Sequence, residues 1–167
     1  MALLQTSKTL IDTIEIEDAP FFVELLNSPG WLEFIGDRGV HTEADARRYL
    51  EDGFLLSYRT RCYGYYLIRI RTGEPIGICG FMQKPWLEHP DFGFAMLPQF
   101  SGQGLAFEAC MVVLDYGDRK FRFEQLDALV APTNERSIRL LERLAFELVG
   151  PIQSDLGEDL MCYTKSK

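Results

Sequence analysis

With 167 residues the chain has material for one domain with one good core and too little for a second. A net charge of −8 and a pI of about 4.8 argue against nucleic acid as a main partner, because phosphate contacts need a basic face. A hydrophobic fraction of 47% with 13% aromatic residues excludes a disordered chain.

No stretch approaches the roughly 20 apolar residues of a membrane span. The start, Met1 to Lys8, has no basic region followed by an apolar run, so a cytoplasmic chain without a secretory leader is expected. The cysteines Cys62, Cys79, Cys110 and Cys162 are scattered, and the histidines are only His41 and His89. Neither a zinc site nor a disulfide framework is expected from that pattern.

Taken in chain order, Ser7 to Ile16 reads as a first strand. Asp18 is expected to cap a helix with Pro20 in its first turn and Phe21, Phe22, Leu25 and Leu26 on one stripe. Asn27-Ser28-Pro29-Gly30 ends it, and the aromatic connection Trp31 to Gly36 suits either a core or a substrate groove. Thr42 with Asp45 resembles a capping box opening a second helix that carries Ala46, Tyr49 and Leu50. Tyr65 to Arg71 alternates as a half-buried strand, and after the turn Arg71–Pro75 the run Ile76 to Met82 returns as a hairpin. Asp91 to Leu97 is a further strand, and Gly104 to about Arg119 has helical spacing. Gln125 to Val130 is a strand and Asn134 to Leu144 a helix, with Glu147–Gly150 and Leu160–Thr164 as final strands. The order predicts an α/β (α+β) domain over residues 1–167, with a mixed sheet flanked by helices.

The stretch Met96-Leu97-Pro98-Gln99-Phe100-Ser101-Gly102-Gln103-Gly104-Leu105-Ala106 places two glycines between a strand and a helix. Such a junction aims backbone N–H groups and a positive helix end at one point, which suits a phosphate or pyrophosphate. Taken alone, Gly102 and Gly104 also fit a tight turn and nothing more. A dinucleotide fingerprint needs a third glycine and a P-loop needs a Lys-Ser or Lys-Thr pair; both are missing.

Gln99-Phe100-Ser101-Gly102-Gln103-Gly104 resembles the Q/R-x-x-G-x-G/A signature of the GNAT superfamily of N-acetyltransferases. Asn134-Glu135-Arg136-Ser137-Ile138-Arg139-Leu140-Leu141-Glu142-Arg143-Leu144-Ala145-Phe146 is similar to its N-x-x-S-x-x-L-L-E-x-x-G-F motif, with Ala145 in place of the glycine. Glu17-Asp18-Ala19, Trp31 and Gly104 to Ala109 are similar to the branch that acetylates ribosomal-protein N-termini.

That resemblance implies a sheet of about six to seven strands with two splayed parallel strands, Asp91–Leu97 and Gln125–Val130. It implies acetyl-coenzyme A as the acyl donor, held by Gln99, Gly102, Gln103, Gly104, Leu105 and Ala106 around the pyrophosphate. Met96 and Leu97 would offer backbone groups to the pantetheine or thioester, and Asn134 would bond the pantetheine or serve as an ordinary helix cap. The amine would attack directly. Ser137 becomes the candidate proton donor, because the tyrosine common among relatives is Leu141 here, or it only leaves room for the cofactor. Asp91 is the candidate base, with His89 as another. The expected partners are acetyl-coenzyme A and an amine, with no membrane and a monomeric or dimeric chain. A non-catalytic acyl-coenzyme A-binding module on the same scaffold is the other reading.

Overall fold

Two residues at the start, Leu4–Gln5 (β1), pair with Thr9–Thr13 (β2) and begin a sheet that runs through the whole molecule. The computed structural model describes residues 1–167. The remaining strands are Tyr65–Ile70 (β3), Pro75–Met82 (β4), Asp91–Met96 (β5), Gln125–Val130 (β6), Glu147–Gln153 (β7) and Asp159–Ser166 (β8). They form one 8-stranded sheet in the order β1-β2-β3-β4-β5-β6-β8-β7. The count exceeds the expected six to seven because β1 adds a short edge next to β2. All neighbours are antiparallel except β5 and β6, whose parallel pairing is registered only at Asp91 and Asp127.

The sheet separates two cores. On one face pack Leu105–Phe121 (α5) and Glu135–Arg143 (α6), with Ala109, Cys110, Val113 and Leu141 against Tyr66, Ile68, Phe81 and Phe92. On the other pack Ala19–Leu26 (α1), Pro29–Phe34 (α2), Glu43–Leu50 (α3) and Leu56–Arg61 (α4). Phe22, Leu25, Trp31, Leu50 and Phe54 meet Leu67 and Ile78 there. A π-turn over Glu51–Leu55 joins α3 to α4. Because Leu67 is fully buried between Tyr66 and Ile68, β3 is covered on both faces and is not the half-buried strand its alternation predicts. The lone polar residue of that ladder, Arg69, bonds Asp18 at 2.7 Å.

Local sequence chemistry explains most boundaries. Thr42 accepts from the Asp45 amide and Asp45 accepts from the Thr42 amide, so the predicted capping box is present. Asp18 does not cap α1: its carboxylate accepts from the Glu15 amide at 2.8 Å and from Arg69 instead. The Ser28-Pro29 step ends α1 but also starts α2, with Pro29 at its first position, so Trp31 sits on a helix and not in a connection. At the end of α6 the Phe146 amide bonds the Leu141 carbonyl and the Ala145 amide bonds Glu142, the pattern of a left-handed helix stop. Ala145 has φ 67°, so the helix end keeps the conformation that a glycine would take.

Candidate active site

The glycine turn leads from β5 into α5. Pro98–Phe100 forms a short 3-10 turn, then Gly102 and Gly104 take φ 77° and 76°, backbone angles that side-chain-bearing residues resist. The Phe100 and Ser101 amides bond Leu97 and Pro98. From Gly102 to Phe107, however, no backbone N–H donates to a protein acceptor; the first amide of α5 to do so is Glu108, toward Gly104. The result is a run of free donors at the positive end of a 17-residue helix. Of the residues predicted around this turn, Gly102, Gly104, Leu105 and Ala106 line a cavity of about 610 Å³. Gln103 turns its side chain onto the Gln99 carbonyl at 3.1 Å, and neither glutamine lines that cavity.

Beside the turn, β5 and β6 part. Leu97 donates its amide to Ile76 at 2.9 Å and its carbonyl accepts from Phe100, so both of its backbone groups are engaged. Its side chain is buried in the helical core under α1 and α2. Leu97 therefore has no backbone N–H left for a ligand. In an antiparallel ladder, peptide groups alternate between the two neighbours. With Leu97 bonded toward β4, the peptide groups of Met96 and Phe94 point toward β6, beyond the single registered pair. Met96 thus keeps the predicted place, and Phe94 joins it where Leu97 does not.

A second cavity, of about 450 Å³, opens on the other side of the gap. Trp31, Phe34, Ile35, Phe94, Ala95, Asn134 and Ser137 line both cavities, so the two meet between α2, β5 and the start of α6. Asn134 caps α6, its Oδ1 accepting from the Ser137 amide at 3.3 Å. The cap is real, and both residues line the junction. Leu141, two turns further on, is 1% exposed and lines the second cavity with an apolar wall.

Asp91 stands at the start of β5 and lines the second cavity. It is 4% exposed; Lys84 reaches its Oδ2 at 3.3 Å, while its Oδ1 is buried without a hydrogen-bond partner. Burial raises the Asp91 carboxyl above its ordinary range, against the opposing pull of the Lys84 ammonium, with Asp127 adding a smaller push in the same direction as burial. The Tyr65 hydroxyl passes directly under Gly93, where an added Cβ would lie 1.9 Å from it, and burial pushes this phenol well up. His89 lines neither cavity.

Sequence reading missed several lining residues. Arg136, Arg139 and Arg143 follow one another at helical spacing along α6 and line the first cavity. Arg143 lies 4.1 Å over the Phe107 ring. Their i, i+3, i+7 pattern was visible as one basic stripe on an acidic chain. Lys84 and Tyr65 carried no such signal, because only the sheet brings them to Asp91.

A family model described as "Acetyltransferase (GNAT) domain" matches residues 8–147. An uncharacterised N-acetyltransferase, p20, of Bacillus licheniformis is 27% identical over 151 residues, covering 90% of this chain and 85% of its own. Among solved structures, a putative GNAT-family acetyltransferase from Bordetella pertussis superposes with a TM-score of 0.82 at 24% identity, covering 98% of each chain. RimL, a ribosomal L7/L12 α-N-protein acetyltransferase in complex with coenzyme A, superposes with a TM-score of 0.84 at 18% identity, over 99% of this chain and 98% of its own. No helix is long and apolar enough to cross a membrane. With a family model spanning most of the sequence and a fold shared from end to end, the protein belongs to the GNAT family of acetyltransferases.

Proposed function

We propose that this acetyltransferase moves an acetyl group from acetyl-coenzyme A to a primary amine by direct attack, with donor and acceptor bound together. The observation that carries the reading is the meeting of two cavities at the parted strands β5 and β6, one lined by free amides and arginines, the other by Asp91 and aromatic walls.

The first cavity fits a phosphate-bearing donor. The amides from Gly102 to Phe107 would take the pyrophosphate, and Arg136, Arg139 and Arg143 would neutralise the remaining charge. The free peptide groups of Phe94 and Met96 would pair with the amide-containing arm, and Asn134 keeps its side-chain NH2 for the same arm while its oxygen caps α6. Acetyl-coenzyme A supplies a thioester whose acetyl group passes to nitrogen as the C–N bond forms and the C–S bond breaks. Ser137 is the hydroxyl at the junction and would give its proton toward the departing thiolate. Asp91 would accept the proton released by the amine, the raised affinity of a buried carboxyl bringing it nearer to the working pH.

Release of free thiol from acetyl-coenzyme A across a panel of amines tests this. Turnover with at least one amine class is expected. Tight coenzyme A binding with no thiol release from any amine would convert the protein into an acyl-coenzyme A-binding module.

A further inference from the structure

The second cavity has cations as well as carboxylates in its lining. Its only deeply buried lining carboxylate, Asp91, is already paired with an ammonium, that of Lys84, at 3.3 Å. Arg38 adds a second cation to the lining, exposed to solvent, and takes part in none of the molecule's ion pairs. Asp155 and Glu158, on the β7–β8 connection, line the cavity as well, but both are exposed and their fields are screened by solvent. Around Asp91 itself stand Lys84 from the β4–β5 loop, Tyr65 from β3 and Asp127 from β6, the last holding a hydrogen bond from Gln125 at 3.2 Å.

We propose that Lys84 is a specificity-determining residue, which by occupying the Asp91 carboxylate reserves the cavity for primary amines that are largely uncharged near neutral pH, such as the α-amine of an amino-acid amide or peptide. This rests on the transfer reading given above. Attack needs a nitrogen lone pair. Near pH 7.5 about a third of an α-amine is neutral, but only about one part in a thousand of an alkylamine of the lysine kind. A site that serves alkylamines must bind the ammonium and then strip its proton. A buried carboxylate with no cation beside it does both; one whose Oδ2 already meets a lysine holds an ammonium poorly, and is left to take the proton that a neutral amine releases on attack. A diamine is disfavoured further, since its second ammonium meets Lys84 as a like charge.

The test uses the full chain with alaninamide and cadaverine as probes, read by calorimetric binding in the presence of coenzyme A and by thiol release from acetyl-coenzyme A. The parent should favour alaninamide by about tenfold or more in both. Lys84→Met should shift that ratio toward cadaverine by about tenfold, and Lys84→Arg should hold it. A Lys84→Met/Asp91→Asn double variant carries neither charge, folds without a buried unpaired carboxylate, and should bind cadaverine no better than the parent. A parent that takes both probes equally overturns the proposal, as does a folded Lys84→Met whose ratio stays within about threefold of the parent. Selective binding without thiol release removes the transfer reading and leaves the selectivity standing. Equal thiol release from both probes keeps the transfer and removes the role of Lys84. Absence of binding and release with either probe overturns both.

Discussion

Ala145 closes α6 at φ 67°, a conformation that costs a residue with a Cβ about 1–2 kcal/mol. Replacing it by glycine relieves that strain, while the extra freedom of glycine in the unfolded chain takes back about 0.4–1 kcal/mol. Ala145→Gly should therefore raise stability by about 0.5–1 kcal/mol in urea unfolding, and a variant less stable than the parent would refute the strain. Ser137 makes a kinetic prediction. If its hydroxyl protonates the thiolate, Ser137→Ala should lower kcat by about a hundredfold or more with acetyl-coenzyme A affinity nearly unchanged. A kcat within about threefold of the parent would leave the serine as a small residue that makes room. Asp91 makes a pH prediction. Its carboxyl is raised in the folded protein, so the native state binds this proton more tightly than the unfolded chain. Stability from that proton is complete below the ordinary carboxylate range and is lost as pH rises through the raised value. Melting curves of Asp91→Asn against the parent should show the variant gaining as pH climbs through that window. A variant that gains only as pH falls would contradict the burial of the charge.

Among the elements, the turn into α5 and the first turn of α6 both line the first cavity, and on the proposed reading they divide the work of holding a phosphate-bearing ligand. An added Cβ at Gly104 meets nothing within 4 Å in the protein, so the space beside it is open for a ligand and a side chain there would enter it. The positive φ adds strain of about 1–2 kcal/mol. Gly104→Val is expected to lower coenzyme A affinity well beyond its effect on melting, by calorimetry on the folded variant. Unchanged affinity would move the phosphate away from this turn. The α3 start shows the same economy of local signals: the Asp45 carboxyl is held down at about 2, first by the His41 amide and then by Thr42 and Arg48. Its contribution to the helix is present above the ordinary carboxylate range and fades only as pH falls toward that value.

For the whole molecule, α5 has to lie close to the sheet for its N-terminus to sit beside the gap between β5 and β6. Gly117 permits that approach. A Cβ there would stand 2.3 Å from Phe81, a fully buried ring that also packs with Phe92 and Phe123. Gly117→Ala gains about 1 kcal/mol of helix propensity but forces the ring or the helix to move, at about 1–3 kcal/mol. The net expectation is a loss of stability in denaturant unfolding. A more stable variant would show that the helix–sheet spacing has slack. The acidic surface and the basic stripe of α6 also give the molecule a polarity: the arginines gather positive charge at the first cavity on a chain of net charge −8.

Much of this was written in local patterns. The capping box at Thr42, the hairpin turn after Arg71 and the cap at Asn134 lie within a few residues of the groups that satisfy them. So did the glycine turn, whose donors are free because the turn itself leaves them so. What the sequence did not disclose depends on how strands pair. Leu97 looked like a ligand-facing residue until its pairing with Ile76 engaged its amide and the ladder's alternation gave that place to Phe94 and Met96. Asp91 was a candidate base by resemblance, and only the joining of β4 and β5 shows Lys84, from the loop between them, placed against it. Local propensity and capping act over one or two turns, and a sequence read alone carries them in full; register between strands and the burial of a charge are set by how strands and loops come together, and only the assembled sheet decides them.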